Sequence, residues 1–449
     1  MSVDVQTTHA LSPAQLEDLR TAFAADPSLK RSQNAVTRVG VQEIALDHDV
    51  AAHIPSTVSN RLDDWSVTNQ KKSGRCWLFA ALNLLRVGTR ERLGLKDFEF
   101  SQNYAMYWDK LERANYFLTS ILATADLPLE DRLVSFLLSS PLEDGGQWNM
   151  AASLFAKYGV VPKEAMPETY SSSNTAAMNA TLRTIVRQGA RTLRTLVDRA
   201  APTEEIETAR AEILAEVHRV LTIHLGTPPT SFEWSWQDEE KNFHSDGVLT
   251  PQQFFDKYVT VNLSDYVCLV DDPRPEHPKG AMLTVEHLGN VVGGDPVRYL
   301  NVDIETAKRA AMETIVAGEP VWFGCDVGAH MQRNDGVWDA HLYDYAGVYD
   351  VEFTLGKEDR VRYQESAMTH AMLFTGVDVH DGAPRRWRVE NSWGNEVGQS
   401  GYFTMTDSWF DEYVFEVLVN VKHLPEQLRT ALQSQPLVLP AWDPMGALA

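Results

Sequence analysis

Cysteine is scarce in this chain of 449 residues. There are three, Cys76, Cys268 and Cys325, an odd number set far apart. Such a count builds no disulfide scaffold and suits a reducing cytosol. Basic residues are also short, 40 against 62 acidic, for a formal net charge of −22. Nucleic acid and anionic membrane surfaces call for basic patches, so neither is expected as a partner. No apolar run reaches the ~18 residues of a membrane span. The start, MSVDVQTTHA, lacks the basic end and apolar core of a signal peptide, so a soluble, cytoplasmic protein is expected. The chain has no H-E-x-x-H and no paired-cysteine motif, which argues against a zinc enzyme. With no Walker A and no G-x-G-x-x-G either, no metal and no cofactor are expected. The absence of a G-x-S-x-G elbow argues against a serine hydrolase. His330, Asp335, Asp339 and His341 form only a loose polar cluster and read as a solvated loop. Internal repeats and low-complexity tracts are missing.

What is present is an ordinary globular composition, 44% hydrophobic and 23% charged, in a chain longer than one typical domain. Ser12-Pro13-Ala14-Gln15 combines an N-cap, a first-position proline and a capping-box partner. Leu16, Leu19 and Phe23 then share a helical face. The stretch from about 30 to 60 has weak periodicity and is expected to wrap the surface. Helices are predicted from about Cys76 to Leu93, within 102–140, ending near Tyr158, and as two amphipathic runs across 174–225. After about 257 the pattern changes. Tyr258–Leu263, Pro320–Cys325, Met372–Thr375, Arg386–Val389 and Val414–Val419 read as strands, with one helix at about Ile304 to Ala317. The last stretch, from Leu437, is apolar, holds Pro440 and Pro444, and cannot be a regular helix. A helix-rich half therefore precedes a sheet-rich half, and a site is expected in the cleft between them.

Gln70-Lys-Lys-Ser-Gly-Arg-Cys76-Trp77 stands out. A cysteine that opens a helix meets unpaired backbone N–H groups, which favour the nucleophilic thiolate. Six positions earlier, Gln70 offers an amide donor for a developing oxyanion, and the Cys76 N–H is a second donor. His370 opens a predicted strand, and Asn391 closes the next one at the head of Asn391-Ser-Trp-Gly394. Paired as imidazolium, His370 is expected to hold the thiol well below its free value of about 8.5. Asn391 can fix the ring, and Trp393 can shield that bond from water. Glutamine, cysteine, histidine and asparagine in this order are the parts of a cysteine peptidase with papain-like logic.

Gln70 to Trp77 and Asn391 to Gly394 resemble papain-like cysteine peptidases. Further stretches resemble the bleomycin hydrolase and bacterial aminopeptidase C branch. They are Asp144-Gly-Gly-Gln-Trp148, Lys157 to Pro162, Glu168 to Ser171, Gly401 to Thr404 and Trp442 to Gly446. Cys76 and His370 lie roughly twice as far apart as the ~130–150 residues of papain-type enzymes. The helical region near 165–250 accounts for most of the excess. The resemblance implies an α+β, two-lobe fold: a helical lobe, a β-barrel-like lobe, a large helical insertion and a C-terminal arm. The expected units are 1–60 (N-terminal helix and wrapping segment), 61–164 (lobe with Cys76), 165–256 (insertion), 257–422 (lobe with His370 and Asn391) and 423–449 (arm).

The resemblance also implies an aminopeptidase. Its arm lies in its own cleft, and the terminal carboxylate, here that of Ala449, blocks the unprimed subsites and pairs with the substrate's α-ammonium. Such a carboxylate rewards a free amino end and penalises a blocked one. Gly145 and Gly146 are candidates for a substrate-binding edge, since glycines permit close backbone approach. The family assembles as a homohexamer, so a hexamer acting on peptides with free N-termini is the expectation. The alternatives are a papain-like endopeptidase with an open cleft, another cysteine acyl-transfer enzyme, and a binding protein on an idle peptidase fold. Cys76, His370 and Gln70 are all intact, which disfavours the last.

Overall fold

The computed structural model describes residues 9–62 and 64–448. Its helical part is built around two long buried helices. Cys76–Leu93 is capped at its end by Gly94 in the left-handed conformation, and Gln102–Ala123 starts on the Ser101 hydroxyl. Trp148–Tyr158 packs on both. Two amphipathic helices, Ala176–Asp198 and Thr203–Leu225, pack on each other and on Gln102–Ala123. Their boundaries match the two predicted runs. The insertion also holds an antiparallel hairpin, Phe232–Gln237 with Phe243–Leu249, which the expectation of a purely helical insertion omits.

The second half centres on one mixed sheet of twelve strands among the described residues. Its middle runs Tyr266–Val270, Val414–Asn420, Val321–Cys325, His370–His380, Ala383–Glu390 and Tyr402–Thr406, each antiparallel to the next. Apolar side chains on these strands pack with helix Ile304–Val316 into one core. The other face of the central strands meets helix Cys76–Leu93, so Trp322, Ala371 and Leu373 join the helical core. The nucleophile helix thus lies directly on the strand that begins with His370.

One segment left without assigned elements proves helical, and one local expectation is corrected. Residues 30–60 are largely helical, with Pro27–Val36, Val41–Ala45 and His48–Ala52. Asp26 and Asp47 cap two of these helices through their carboxylates. They lie on the surface with almost nothing buried, so no apolar stripe marks them. Tyr258–Leu263 is not a strand. A Thr250–Gln253 capping box starts a helix that runs from Pro251 to Tyr258, and the strand begins at Tyr266. Phe254 and Tyr258 are buried one helical turn apart, which outweighs the β-propensity of the valines that follow.

Candidate active site

Cys76 is the first residue of its helix, preceded by Arg75, whose side chain makes no cap bond. Arg75 instead forms a fork with Glu168 (2.9 and 2.7 Å), which fixes the loop entering the helix. The sulfur is buried. It receives backbone hydrogen bonds from Ala371, Trp77 and its own residue. Ala371 follows His370 on the strand, so the sulfur lies against the backbone one residue from His370, where the two lobes meet.

His370 is buried, and its Nε2 lies 3.0 Å from Asn391 Oδ1. That bond assigns the proton to Nε2 and leaves Nδ1 as the lone pair that can take a proton. Trp393 packs over the pair, with its ring centroid 5.1 Å from that of His370. The guanidinium of Arg333 covers the indole at 4.7 Å. Asn391 Oδ1 also accepts from the Ser392 N–H (2.7 Å), which holds the amide carbonyl toward the ring.

Gln70 sits on a loop joined to the asparagine loop. Its N–H donates to the Ser392 carbonyl (2.8 Å), and Gly394 N–H donates to the Thr68 carbonyl (3.0 Å). A Cβ on Gly394 would lie 2.4 Å from Asn69 Nδ2, and its φ is 78°, so only glycine fits this crossing. The Ser392 hydroxyl donates to Gln70 Oε1 (2.6 Å), while Gln70 Nε2 gives one proton to the Ser73 carbonyl (2.6 Å). The amide is oriented at both ends, with its second N–H left for another acceptor.

Burial dominates the electrostatics of Cys76 and His370. The helix start does not by itself produce a thiolate. Burial pushes the Cys76 thiol up to about 11, outweighing the three backbone N–H groups that favour the anion. Burial likewise pushes His370 down to about 4, against the favourable Asn391 bond. Neither group ionises alone at neutral pH. Moving a proton from a buried thiol to a nearby buried imidazole would create both charges together, so that each offsets the other's burial.

Residues that sequence patterns left without a role complete the site. Glu390, next to Asn391, is buried and paired with Arg86 of the nucleophile helix. It also accepts from Trp65 Nε1 (2.6 Å) and Asn83 Nδ2 (2.9 Å). Asp144 accepts from the Gly74 N–H (3.2 Å) and pairs with buried Lys110 at 2.7 Å. Burial alone raises its carboxyl, but the Lys110 charge and hydrogen bonds from Lys110, Thr175 and Asn179 hold it well below the usual carboxylate range. The signal for both acids was their place inside the motifs around Asn391 and Gly145.

Gly146 is buried against Trp77, where a Cβ would lie 2.6 Å from the indole. Gly145 is half-buried, and its carbonyl accepts from Arg113 (2.5 Å). The arm reaches this segment. Leu437–Leu439 adds to the sheet edge beside Met282–Val285. Asp443 is locked to Arg274 (2.7 Å), and the Ala447 carbonyl accepts from Gln147 Nε2 (2.7 Å). Ala449, the candidate gating residue, lies outside the described residues.

A model of the Peptidase C1-like family matches residues 10–446. The chain belongs to that family. It is 42% identical over 437 residues to aminopeptidase C of Lactobacillus delbrueckii subsp. lactis, covering 97% of each chain. It is also 42% identical over 453 residues to bleomycin hydrolase of Homo sapiens, covering 99% of this chain and 100% of that one. The crystal structure of PepW from Lactobacillus rhamnosis HN001 superposes with a TM-score of 0.96 at 46% identity, covering 98% of this chain and 100% of that one. These matches span the insertion and the arm as well as the Peptidase C1-like site.

Proposed function

We propose that this chain is a cysteine aminopeptidase that removes residues from the free amino end of peptides through a thioester acyl-enzyme. What supports the reading is the His370–Asn391 bond, which leaves Nδ1 of His370 free to act as base, on the strand whose Ala371 N–H favours the Cys76 anion. His370 takes the Cys76 proton as the sulfur attacks the carbonyl of the first residue. Gln70 Nε2 and the Cys76 N–H hold the oxyanion. His370 then protonates the leaving amine, and a water activated by the same ring releases the amino acid. Relatives named aminopeptidase C and bleomycin hydrolase support the reading, and it extends to bleomycin-hydrolase-like amide hydrolysis.

The exopeptidase character rests on the arm. What supports this is Gln147, the residue after Gly146, whose Nε2 donates to the Ala447 carbonyl beside the segment proposed to bind substrate backbone. The carboxylate of Ala449 then meets the substrate's α-ammonium, and Gly145 and Gly146 flank the bound peptide. Mass spectrometry of a digested peptide tests this. A ladder shortened one residue at a time from the amino end is expected, with an N-acetylated copy left intact. Internal fragments would contradict it.

The reading includes a homohexamer in the cytoplasm. Helix Pro13–Ala25 buries nothing, and Leu16, Leu19 and Phe23 stand exposed on it. Val351, Phe353 and Leu355 form a second exposed apolar stretch. Faces of this kind mark contacts between chains. All three cysteines are free, and among the described residues no helix is long and apolar enough to cross a membrane. Sedimentation that reports a monomer at micromolar concentration would remove the hexamer from the account.

A further inference from the structure

The sheet carries a cation beside the site, at the edge away from the arm. Strand order runs from Leu437–Leu439 of the arm at one edge to the hairpin of Met331–Gln332 and Val337–Trp338 at the other. The strand that begins with His370 lies between the two.

That hairpin turns at Arg333-Asn334-Asp335-Gly336. Gln332 Oε1 accepts from the Asn334 N–H (2.7 Å) and the Asp335 N–H (3.2 Å). Gly336 takes a φ of 70°, and a Cβ on it would lie 2.6 Å from Gly398 Cα. The Gly398 N–H donates to the Asn334 carbonyl (3.2 Å), and the Thr404 N–H to the Gly336 carbonyl (2.8 Å). Val337–Trp338 then runs parallel to Tyr402–Thr406. The turn that carries Arg333 is thus pinned to the segment that follows Asn391-Ser-Trp-Gly394.

Arg333 is exposed, and its guanidinium lies over the Trp393 indole at 4.7 Å. The same indole has its ring centroid 5.1 Å from that of His370. One indole therefore separates the cation from the imidazole. Among the described residues no carboxylate pairs with the Arg333 guanidinium, not even Asp335 in the same turn, and its N–H groups make no hydrogen bond. A guanidinium laid on an aromatic face keeps its edge donors free, in a fork that matches a carboxylate.

In the proposed reaction His370 gives its proton to the leaving amine, so the atoms beyond the scissile bond pass beside the imidazole. With the amino end of the peptide toward the arm, the rest runs toward the opposite edge. Two bonds separate the leaving nitrogen from the carbonyl carbon of the same residue. With that nitrogen within hydrogen-bond reach of Nδ1, the carbon stands roughly 5–6 Å from the ring nitrogen. In a dipeptide this carbon is a carboxylate, whereas in a longer peptide it is an uncharged amide. The chain carries −22 overall and disfavours anions at long range, so a preference for an anionic substrate requires a local cation.

We propose that Arg333 determines specificity on the leaving side: its guanidinium pairs with a carboxylate on the residue after the scissile bond, either the free carboxyl end of a dipeptide or an acidic side chain. The inference rests on the aminopeptidase reading, which orients the peptide.

The test measures kcat/KM of the full chain at neutral pH and low salt on two pairs of substrates. Alanyl-glycine against its amide reads the carboxyl end. Alanyl-glutamate amide against alanyl-glutamine amide reads the side chain. Arg333→Gln is expected to lower the charged-to-neutral ratio of at least one pair about three- to fivefold, the size of an exposed ion pair. Arg333→Glu should lower it further. Added salt should erode the wild-type ratio toward that of Arg333→Gln. Each ratio cancels whatever a variant does to the chemistry that the twins share, so an arginine that only covers Trp393 leaves both ratios unmoved. A fall in the first pair assigns Arg333 to the carboxyl end of dipeptides, and a fall in the second alone assigns it to acidic side chains. Ratios unchanged in both variants overturn the proposal while the aminopeptidase reading stands. If the wild type cleaves none of the four substrates, the aminopeptidase reading fails and takes this inference with it.

Discussion

Asn391 touches the chemistry only through His370, with one 3.0 Å bond that sets ring orientation and tautomer. Asn391→Ala is therefore expected to lower kcat much less than His370→Ala, which removes the base and acid altogether. Equal losses in steady-state kinetics would give Asn391 a larger part. Gln70→Ala removes one oxyanion donor and should cost about 10²–10³-fold in kcat, or ~2.7–4 kcal/mol. Ser392→Ala frees Gln70 Oε1 and should reproduce part of that loss with KM little changed. The four side chains proposed to carry the chemistry are legible in the sequence because each is a distinct residue type beside a recognisable local signal. Ser392 and Glu390 were visible only as members of a motif. Their roles depend on which loop and which helix the fold brings opposite them. The helix start that favours the thiolate is a local property and legible, whereas the burial that opposes it belongs to the assembled lobes.

Elements set the relative position of these side chains. Glu390 ties the strand that ends at Asn391 to the nucleophile helix through buried Arg86 and Asn83. Glu390→Gln leaves Arg86 charged and uncompensated in the core and should destabilise the fold by about 3–5 kcal/mol. Denaturant titration measures this, and a loss within about 0.5 kcal/mol would mean that the two lobes are held by packing instead. Buried helices were legible, with Cys76–Leu93 and the pair across 174–225 found close to their observed ends, because burial imposes an apolar period. The helices between 27 and 52 were missed because they bury little and announce themselves only through caps at Asp26 and Asp47. The Tyr258–Leu263 error arose where β-branched residues follow a helix whose last aromatic is buried.

At the scale of the whole molecule, the proposed function has the arm decide which end of a peptide meets the sulfur. The arm was legible as a non-helical apolar segment. Its route was not, because Asp443 on Arg274 and Ala447 on Gln147 are contacts between distant parts of the chain. Deleting Gly446 to Ala449 should convert an enzyme that rejects N-acetylated aminoacyl amides into one that cleaves them. Unchanged rejection in a fluorogenic assay would place the gate elsewhere. Every one of these expectations presupposes that acyl transfer runs through Cys76. The most direct measurement is acid-quench mass spectrometry during turnover of an aminoacyl amide. The account predicts a single aminoacyl adduct on the peptide that contains Cys76, labile to hydroxylamine as a thioester is and absent in Cys76→Ala. Turnover that persists in Cys76→Ala, or an adduct on any other residue, would contradict it.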